Sequence, residues 1–234
     1  MSAPGRVRVL LAPPRSSAAR PRAEECAVVV DVLRATTTLT VALGHGAARV
    51  RAAATPEQAA AERATHPDAL LCGERAGLKI EGFDLGNSPF EYPVTAVSGR
   101  TLIFASTNGS QALLACGAAR RRLLGAFVNL SALVERLAPE RTVVIVCAGS
   151  SGRFAMEDAG CAGLLCERLA ERGATLEGPE AALARALAPR DARAVRALVQ
   201  GSSHGRDLRA MGAEYARDVE FCAELDALDQ VFEV

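Results

Sequence analysis

Short apolar runs recur along the chain, at Arg8 to Ala12, Ala27 to Val32, Ala69 to Cys72, Thr101 to Ala105, Arg122 to Phe127 and Thr142 to Cys147. Each is almost continuously hydrophobic rather than alternating, the pattern of strands covered on both faces. Helical patterns lie between several of them. TPEQAAAERATH has Thr55 as N-cap and Pro56 at the first helical position, and NGSQALLACG and NLSALVERLAP are further examples. Strands alternating with helices predict an α/β fold, three-layer, with a largely parallel sheet flanked by helices.

The interval Gly73 to Gly99 breaks this rhythm with GERAGLKIEGFDLGNSPFEYP, a long loop whose mixture of aromatics and acids favours function over simple connection. After Glu157 the chain turns helical, through DAGCAGLLCERLAERG and EAALARALAPRDARAVRALVQ, to a strand-like VFEV. Gly178 and Pro179 mark a boundary. The expectation is an α/β domain over 1–177 carrying most of the site. A mainly helical portion, 178–234, packs on it, either as a separate piece or as part of one integrated unit.

With 234 residues, half of them apolar and none Trp, the chain buries a core of mainly Ala, Val and Leu. Lys+Arg and Asp+Glu balance at 27 each, which argues against a dominant nucleic-acid or membrane surface. The seven cysteines are an odd number without a paired framework and lie mostly in apolar segments, as small core residues in a reducing compartment do. MSAPGRVRVLLAPP holds too short an apolar run for a signal peptide, and no stretch approaches a membrane span. A soluble, cytoplasmic protein is expected.

In open α/β sheets ligands bind beyond the carboxyl ends of the strands. Asp31, Arg34 and the run Thr36, Thr37, Thr38 follow VVV; Gly73, Glu74 and Arg75 follow LLC; Ser106, Thr107, Asn108 and Gly109 follow LIFA. Asn129 follows LLGAF, and Cys147 with AGSSGR follows VVIV. Caps and turns alone account for Thr36, Asn108, Asn129 and Ser150, but not for Asp31, Arg34, Glu74 and Arg75 as well. Hydroxyls, free N–H groups at helix starts and arginines suit phosphate or sulfonate oxygens. Asp31, Glu74, Asp84, Glu157 and Asp158 are oxygen ligands suited to a hard cation such as Mg²⁺. Each acid has a plain alternative as a surface charge or an arginine partner, and Glu157 and Asp158 alternatively as first-turn acids of the following helix.

Other motifs compete. A haloacid-dehalogenase reading of Asp31 needs an Asp two positions on, where Leu33 stands. Gly201-Ser202-Ser203-His204-Gly205 matches G-x-S-x-G, but a helical segment precedes it and no histidine follows it. His204 still sits in GSSHGRDL, a loop and helix start with phosphate-binding character, whereas His45 and His66 read as turn residues. Cys147 and Arg153 have the C-x5-R spacing of cysteine phosphatases, although Val146 and Phe154 replace that signature's usual histidine and hydroxyl residue. A small cysteine closing a buried strand is the competing reading.

These blocks together resemble the 2-phosphosulfolactate phosphatase, or ComB-like, family. The resemblance rests on DVLRATTT (Asp31 to Thr38), GER (Gly73 to Arg75), GFDLGNSP (Gly82 to Pro89), STNGS (Ser106 to Ser110) and FVN (Phe127 to Asn129). It continues through CAGSSGRFAMEDAGCAG (Cys147 to Gly163) and SSHGRDL (Ser202 to Leu208), in order over nearly the whole chain. It implies the family's α/β fold and a Mg²⁺-dependent phosphatase that hydrolyses 2-phospho-3-sulfolactate to 3-sulfolactate and phosphate, a step of coenzyme M biosynthesis.

The expectation that results makes Asp31, Arg34, Glu74 and Arg75 catalytic and draws the Mg²⁺ ligands from Asp31, Glu74, Asp84, Glu157 and Asp158. Substrate contacts are expected from Thr36, Thr37, Asn87, Ser88, Thr107, Asn108, Gly109, Asn129, Gly149, Ser150, Ser151, Gly152, Arg153 and His204. Attack by activated water and an aspartyl-phosphate on Asp31 both stay open. So do a metal-free cysteine phosphatase using Cys147 and Arg153, and a non-catalytic binding protein for an anionic metabolite. The expected partner is a small anionic phosphorylated substrate, with no nucleic acid and no membrane, in a chain that could form a homodimer.

Overall fold

The structure, a computed structural model, describes residues 4–14 and 16–234. The strands in chain order are β1 (Arg6–Leu10), β2 (Cys26–Val30), β3 (Arg49–Ala52), β4 (Leu70–Arg75), β5 (Leu78–Lys79), β6 (Thr101–Ala105), β7 (Arg121–Gly125), β8 (Thr142–Cys147) and β9 (Thr175–Glu177). They belong to two sheets. The first has the order β7-β2-β8-β1-β9 and is parallel throughout; the second, β3-β6-β4-β5, is parallel except for the short β5. The α/β class and the helical C-terminal portion are as expected, with the strands shared between two sheets.

The helices are α1 (Ala35–Gly44), α2 (Pro56–Thr65), α3 (Val94–Val97), α4 (Gly109–Ala115), α5 (Leu130–Leu137), α6 (Met156–Glu171), α7 (Pro179–Ala186), α8 (Ala192–Gly201), α9 (Ser203–Met211) and α10 (Ala213–Cys222). The second sheet has a physical cause in α1. Its residues Ala35 through Ala42 are all buried, so this helix has no face left for water. Leu39 and Ala42 of α1 and Leu113 of α4 join Val29 and Val146 of the first sheet and Leu102 and Phe104 of the second in one apolar cluster. Burial of a side chain such as Leu39 or Phe104 contributes roughly 1.5–3 kcal/mol. The α1 threonines are tolerated in that layer because their hydroxyls bond to carbonyls, Thr36 to Gly125 at 2.7 Å, Thr37 to Val32 at 3.0 Å and Thr40 to Thr36 at 2.7 Å.

On the far side of the second sheet, Ala59 of α2 packs with Leu71, Phe83 and Ile103. On the far side of the first, Val28 and Ile145 share a cluster with Leu133 of α5, Leu165 of α6, Ala184 of α7, Val199 of α8, Leu208 of α9 and Val219 of α10. The C-terminal VFEV pairs back onto the edge strand: Leu124 N–H donates to Phe232 at 3.1 Å, and Val234 N–H to Arg122 at 2.9 Å. Of the N-terminal stretch read against a signal peptide, residues 1–3 lie outside the described residues. Among the described residues no helix is long and apolar enough to cross a membrane.

Candidate active site

A cavity of about 200 Å³ lies where the carboxyl ends of β2 and β8, from one sheet, meet those of β4 and β6, from the other. Asp31, Arg34, Glu74, Asn87, Thr107, Asn108, Ser150, Ser151 and His204 line it. The two sheets are tied together at this point by the loops themselves, for Ser151 N–H donates to Asn108 Oδ1 at 2.9 Å. The loop after β8 turns sharply, with Ser150 and Arg153 exchanging backbone bonds of 2.9 Å. Gly149 takes φ +63° there, and a Cβ on it would stand 2.1 Å from the Arg153 carbonyl oxygen. Only glycine fits that turn.

Asp31 is the central acid. The turn after β2 is knit by Thr36, whose Oγ1 accepts from Asp31 N–H at 2.9 Å and whose N–H donates to the Asp31 carbonyl at 3.1 Å. Among the described residues the Asp31 carboxylate accepts one bond, a long 3.4 Å contact from Ala35 N–H. Burial pushes its pKa up, His204 opposes this, and the negative charges of Glu74 and Glu157 add to it, so that it rises from 3.8 to about 7. Gly109 lets the next loop approach: a Cβ on it would lie 2.6 Å from Asp31 Oδ2 and 2.4 Å from Ala35 Cβ.

Glu74, also buried, accepts from Thr107 N–H at 2.7 Å and Gly77 N–H at 2.8 Å, which fixes its carboxylate between two loops. Glu157 faces His204, Oε1 to Nδ1 3.3 Å. Burial works against charge on His204, but the bond and charge of Glu157, with Asp31, hold its pKa above the usual value. Arg34 donates to Asp218 at 2.5 Å and to the Gly77 carbonyl at 2.8 Å, and its guanidinium lies 5.2 Å from the Tyr215 ring centre.

Other candidates serve the scaffold. Asp158 accepts from Val32 N–H and from Gly149 N–H, both at 2.9 Å, and so clamps the ends of the neighbouring strands β2 and β8. Burial first, then Asp31 and Glu157, push its carboxyl well above the usual carboxylate range. Thr36 and Thr37 give their hydroxyls to backbone carbonyls. Asn129 caps its own turn, accepting from Ala126 N–H at 3.0 Å and donating to Leu124 at 3.1 Å. Arg75 donates to the Glu74 and Ala54 carbonyls, at 2.8 and 3.3 Å. Asp84 is held by Arg63 and Leu71 N–H, both at 2.8 Å. Neither Arg75 nor Asp84 lines the cavity. Gly152 lines the cleft next to it, while Arg153 is exposed and lines neither. Ser88 donates to Asp218 at 2.6 Å beside the groove on the other flank.

Cys147 is fully buried among Val30, Cys161 and Cys166, and burial raises its thiol well above the usual value. A cysteine nucleophile needs the opposite, an accessible thiolate with a depressed pKa. Ser202 of the G-x-S-x-G match caps α9 by accepting from Gly205 N–H at 3.0 Å.

Asp31 and Glu74 are thus the buried carboxylates that line the cavity, and among the described residues neither forms an ion pair within 4 Å. Among the described residues no three His, Cys, Asp or Glu side chains form a ready cage for a metal. That donor set fits a hard cation which takes one or two carboxylates and completes its shell with water and substrate oxygens. The sequence reading missed Asp218, the buried partner of Arg34. Its signal was an acid next to Val219 and four residues before Cys222, on a helix face that is buried.

Residues 12–234 match the family described as 2-phosphosulpholactate phosphatase. The chain is similar to a protein of Thermotoga petrophila, 40% identical over 209 residues that cover 88% of each. It is similar to one of Parasynechococcus marenigrum, 41% identical over 213 residues and 88% of each. A third, from Clostridium acetobutylicum, is 37% identical over 207 residues, 88% of this chain and 87% of the relative. All three relatives are named probable 2-phosphosulfolactate phosphatase.

Proposed function

Because the chain belongs to the 2-phosphosulpholactate phosphatase family, we propose that it is a phosphoric monoester hydrolase acting on 2-phospho-3-sulfolactate or a closely related phosphorylated hydroxy acid. The products are the free hydroxy acid and phosphate, as in a coenzyme M-type biosynthetic step. The observation that carries this reading is the buried pair Asp31 and Glu74 sharing one small cavity with Arg34 and His204. Its volume of about 200 Å³ is below the ~300 Å³ at which drug-sized sites begin, and suits a compact ligand.

Glu74 would hold Mg²⁺ together with water and substrate oxygens, and the ion when bound would supply Lewis-acid polarisation of a phosphoryl oxygen and a more acidic water. Asp31, a buried carboxylate lining the same cavity, would accept the proton of the attacking water. Arg34, kept in place by Asp218, offsets the charge that gathers on the phosphoryl oxygens. Ser150, Ser151 and Asn108 also line the cavity and would donate to the anionic groups.

The test is phosphate release from 2-phospho-3-sulfolactate by the wild type, with and without EDTA, and by Asp31→Asn, Glu74→Gln and Cys147→Ser. The expected result is turnover lost in EDTA, restored by Mg²⁺, reduced at least about 10²-fold in the two carboxylate variants and kept by Cys147→Ser. EDTA-insensitive turnover that Cys147→Ser abolishes would sink the metal-and-carboxylate mechanism.

A further inference from the structure

We propose that His204 is the proton donor to the leaving oxygen of the substrate, held in place for that task by Glu157. The inference rests on the phosphatase reading and adds a residue role to it. It stands on the position of the ring. His204 lines the cavity from α9, its Nδ1 faces Glu157 Oε1 at 3.3 Å, and Glu157 is itself buried in the first turn of α6. With Nδ1 directed to Glu157, Nε2 is the nitrogen left for the cavity. Among the described residues the one polar partner of the ring is Glu157, at Nδ1.

The other ionisable groups lining the cavity are poor alternatives. Arg34 is committed to Asp218 and to the Gly77 carbonyl. The Glu74 oxygens are committed to N–H bonds from two loops. Asp207 is exposed at the rim. Asp31 serves the attacking side. An alkoxide leaving from a hydroxy acid is a strong base, so a donor at that oxygen is the group the reaction still lacks.

In the step, a water oxygen bonds to phosphorus as the bond from phosphorus to the ester oxygen breaks. The electron pair of the broken bond stays on the ester oxygen, which takes the Nε2 proton. The water proton passes to Asp31. The step leaves a neutral imidazole, still donating from Nδ1 to Glu157, and a protonated Asp31 carboxyl. Proton exchange with solvent returns both to their starting forms. A paired carboxylate that orients an imidazole and supports its positive form is a general device in acid–base catalysis.

The test compares esters that differ in how much their leaving group needs a proton. The full chain, loaded with Mg²⁺, is assayed as wild type, His204→Ala and His204→Gln. The substrates are 2-phospho-3-sulfolactate, its analogue with sulfur as the bridging atom, and p-nitrophenyl phosphate. Glutamine keeps a polar partner for Glu157 but has no proton to give, and an unchanged melting temperature in either variant shows that the fold persists. The expected result is a kcat loss of about 10²-fold or more on the oxygen ester of the alcohol, within the range of general acid catalysis. On the esters with weakly basic leaving groups the loss is expected to stay under about 10-fold. Equal loss on every ester the wild type hydrolyses, or an effect on KM alone, would overturn the assignment. No phosphate release from any of them by the wild type would overturn the phosphatase reading itself, and this step with it.

Discussion

Arg34 and Asp218, 184 positions apart in the chain, meet as an ion pair of 2.5 Å in which both side chains are almost fully buried. Asp218 also accepts from Ser88, so α10 holds both the cavity arginine and the long loop that carries Ser88. Breaking a buried pair from one side leaves an uncompensated charge, at a cost of about 3–5 kcal/mol. Asp218→Ala is therefore expected to lower the urea unfolding free energy by an amount of that order and to raise KM for the anionic substrate. A loss under about 1 kcal/mol with unchanged KM would show that α10 does not position Arg34.

Asp31 links stability to pH. In the folded chain its proton is held up to about pH 7, whereas an exposed aspartate releases it near 3.8. Its folded pKa is raised, so its contribution to stability is complete below about pH 4 and is lost as pH rises toward 7. In metal-free buffer the unfolding free energy of the wild type should fall across that window by a few kcal/mol more than that of Asp31→Asn. Denaturant titrations at pH 4, 5.5 and 7 check this, and parallel curves for the two proteins would contradict it.

Gly109 is set against Asp31 more tightly than any side chain allows. The Cβ of Gly109→Ala would fall 2.4 Å from Ala35 Cβ and 2.6 Å from Asp31 Oδ2, so the β6–α4 loop or α1 has to shift. Overpacking of this kind costs typically 1–3 kcal/mol. The expected outcome is a lower melting temperature and a fall of at least about tenfold in kcat/KM, because a displacement near 1 Å at reacting groups is costly. Wild-type kinetics in Gly109→Ala would remove this loop from the site.

Cys147 lies within the first sheet's core, away from the cavity lining. Cys147→Ser buries a hydroxyl in an apolar setting and should destabilise the fold by about 1–3 kcal/mol. Its kcat at a temperature where it remains folded should stay within about twofold of wild type. Steady-state kinetics beside a melting curve separates the two effects.

Much of this architecture is legible in the chain itself. The continuous apolar runs at Ala27 to Val32 and Thr142 to Cys147 become the adjacent buried strands β2 and β8, as strands covered on both faces must be hydrophobic along their whole length. The polar residues that follow them, Asp31 and the Ser150 to Ser151 turn, line the cavity for the same topological reason. The strand RVRA at Arg49–Ala52 escapes such a reading, because it is an edge strand whose alternate residues face outward.

Which polar residues do chemistry and which hold the frame depends on where their partners lie, and those partners are remote in sequence. Asp158 and Glu157 are neighbours on α6, yet the first clamps two strand ends through Val32 and Gly149 and the second meets His204. Asp84 and Glu74 both follow the same strand region, but Arg63 takes one out of the site and two loop N–H groups aim the other into it. Local composition determined the α/β class, the caps and the set of polar loops, since hydrophobic periodicity and turn chemistry act between near neighbours. The second sheet, the pairing of Arg34 with Asp218 and the burial that raises Asp31 were decided by tertiary packing, because desolvation and ion pairing act through space and have no fixed spacing along the chain.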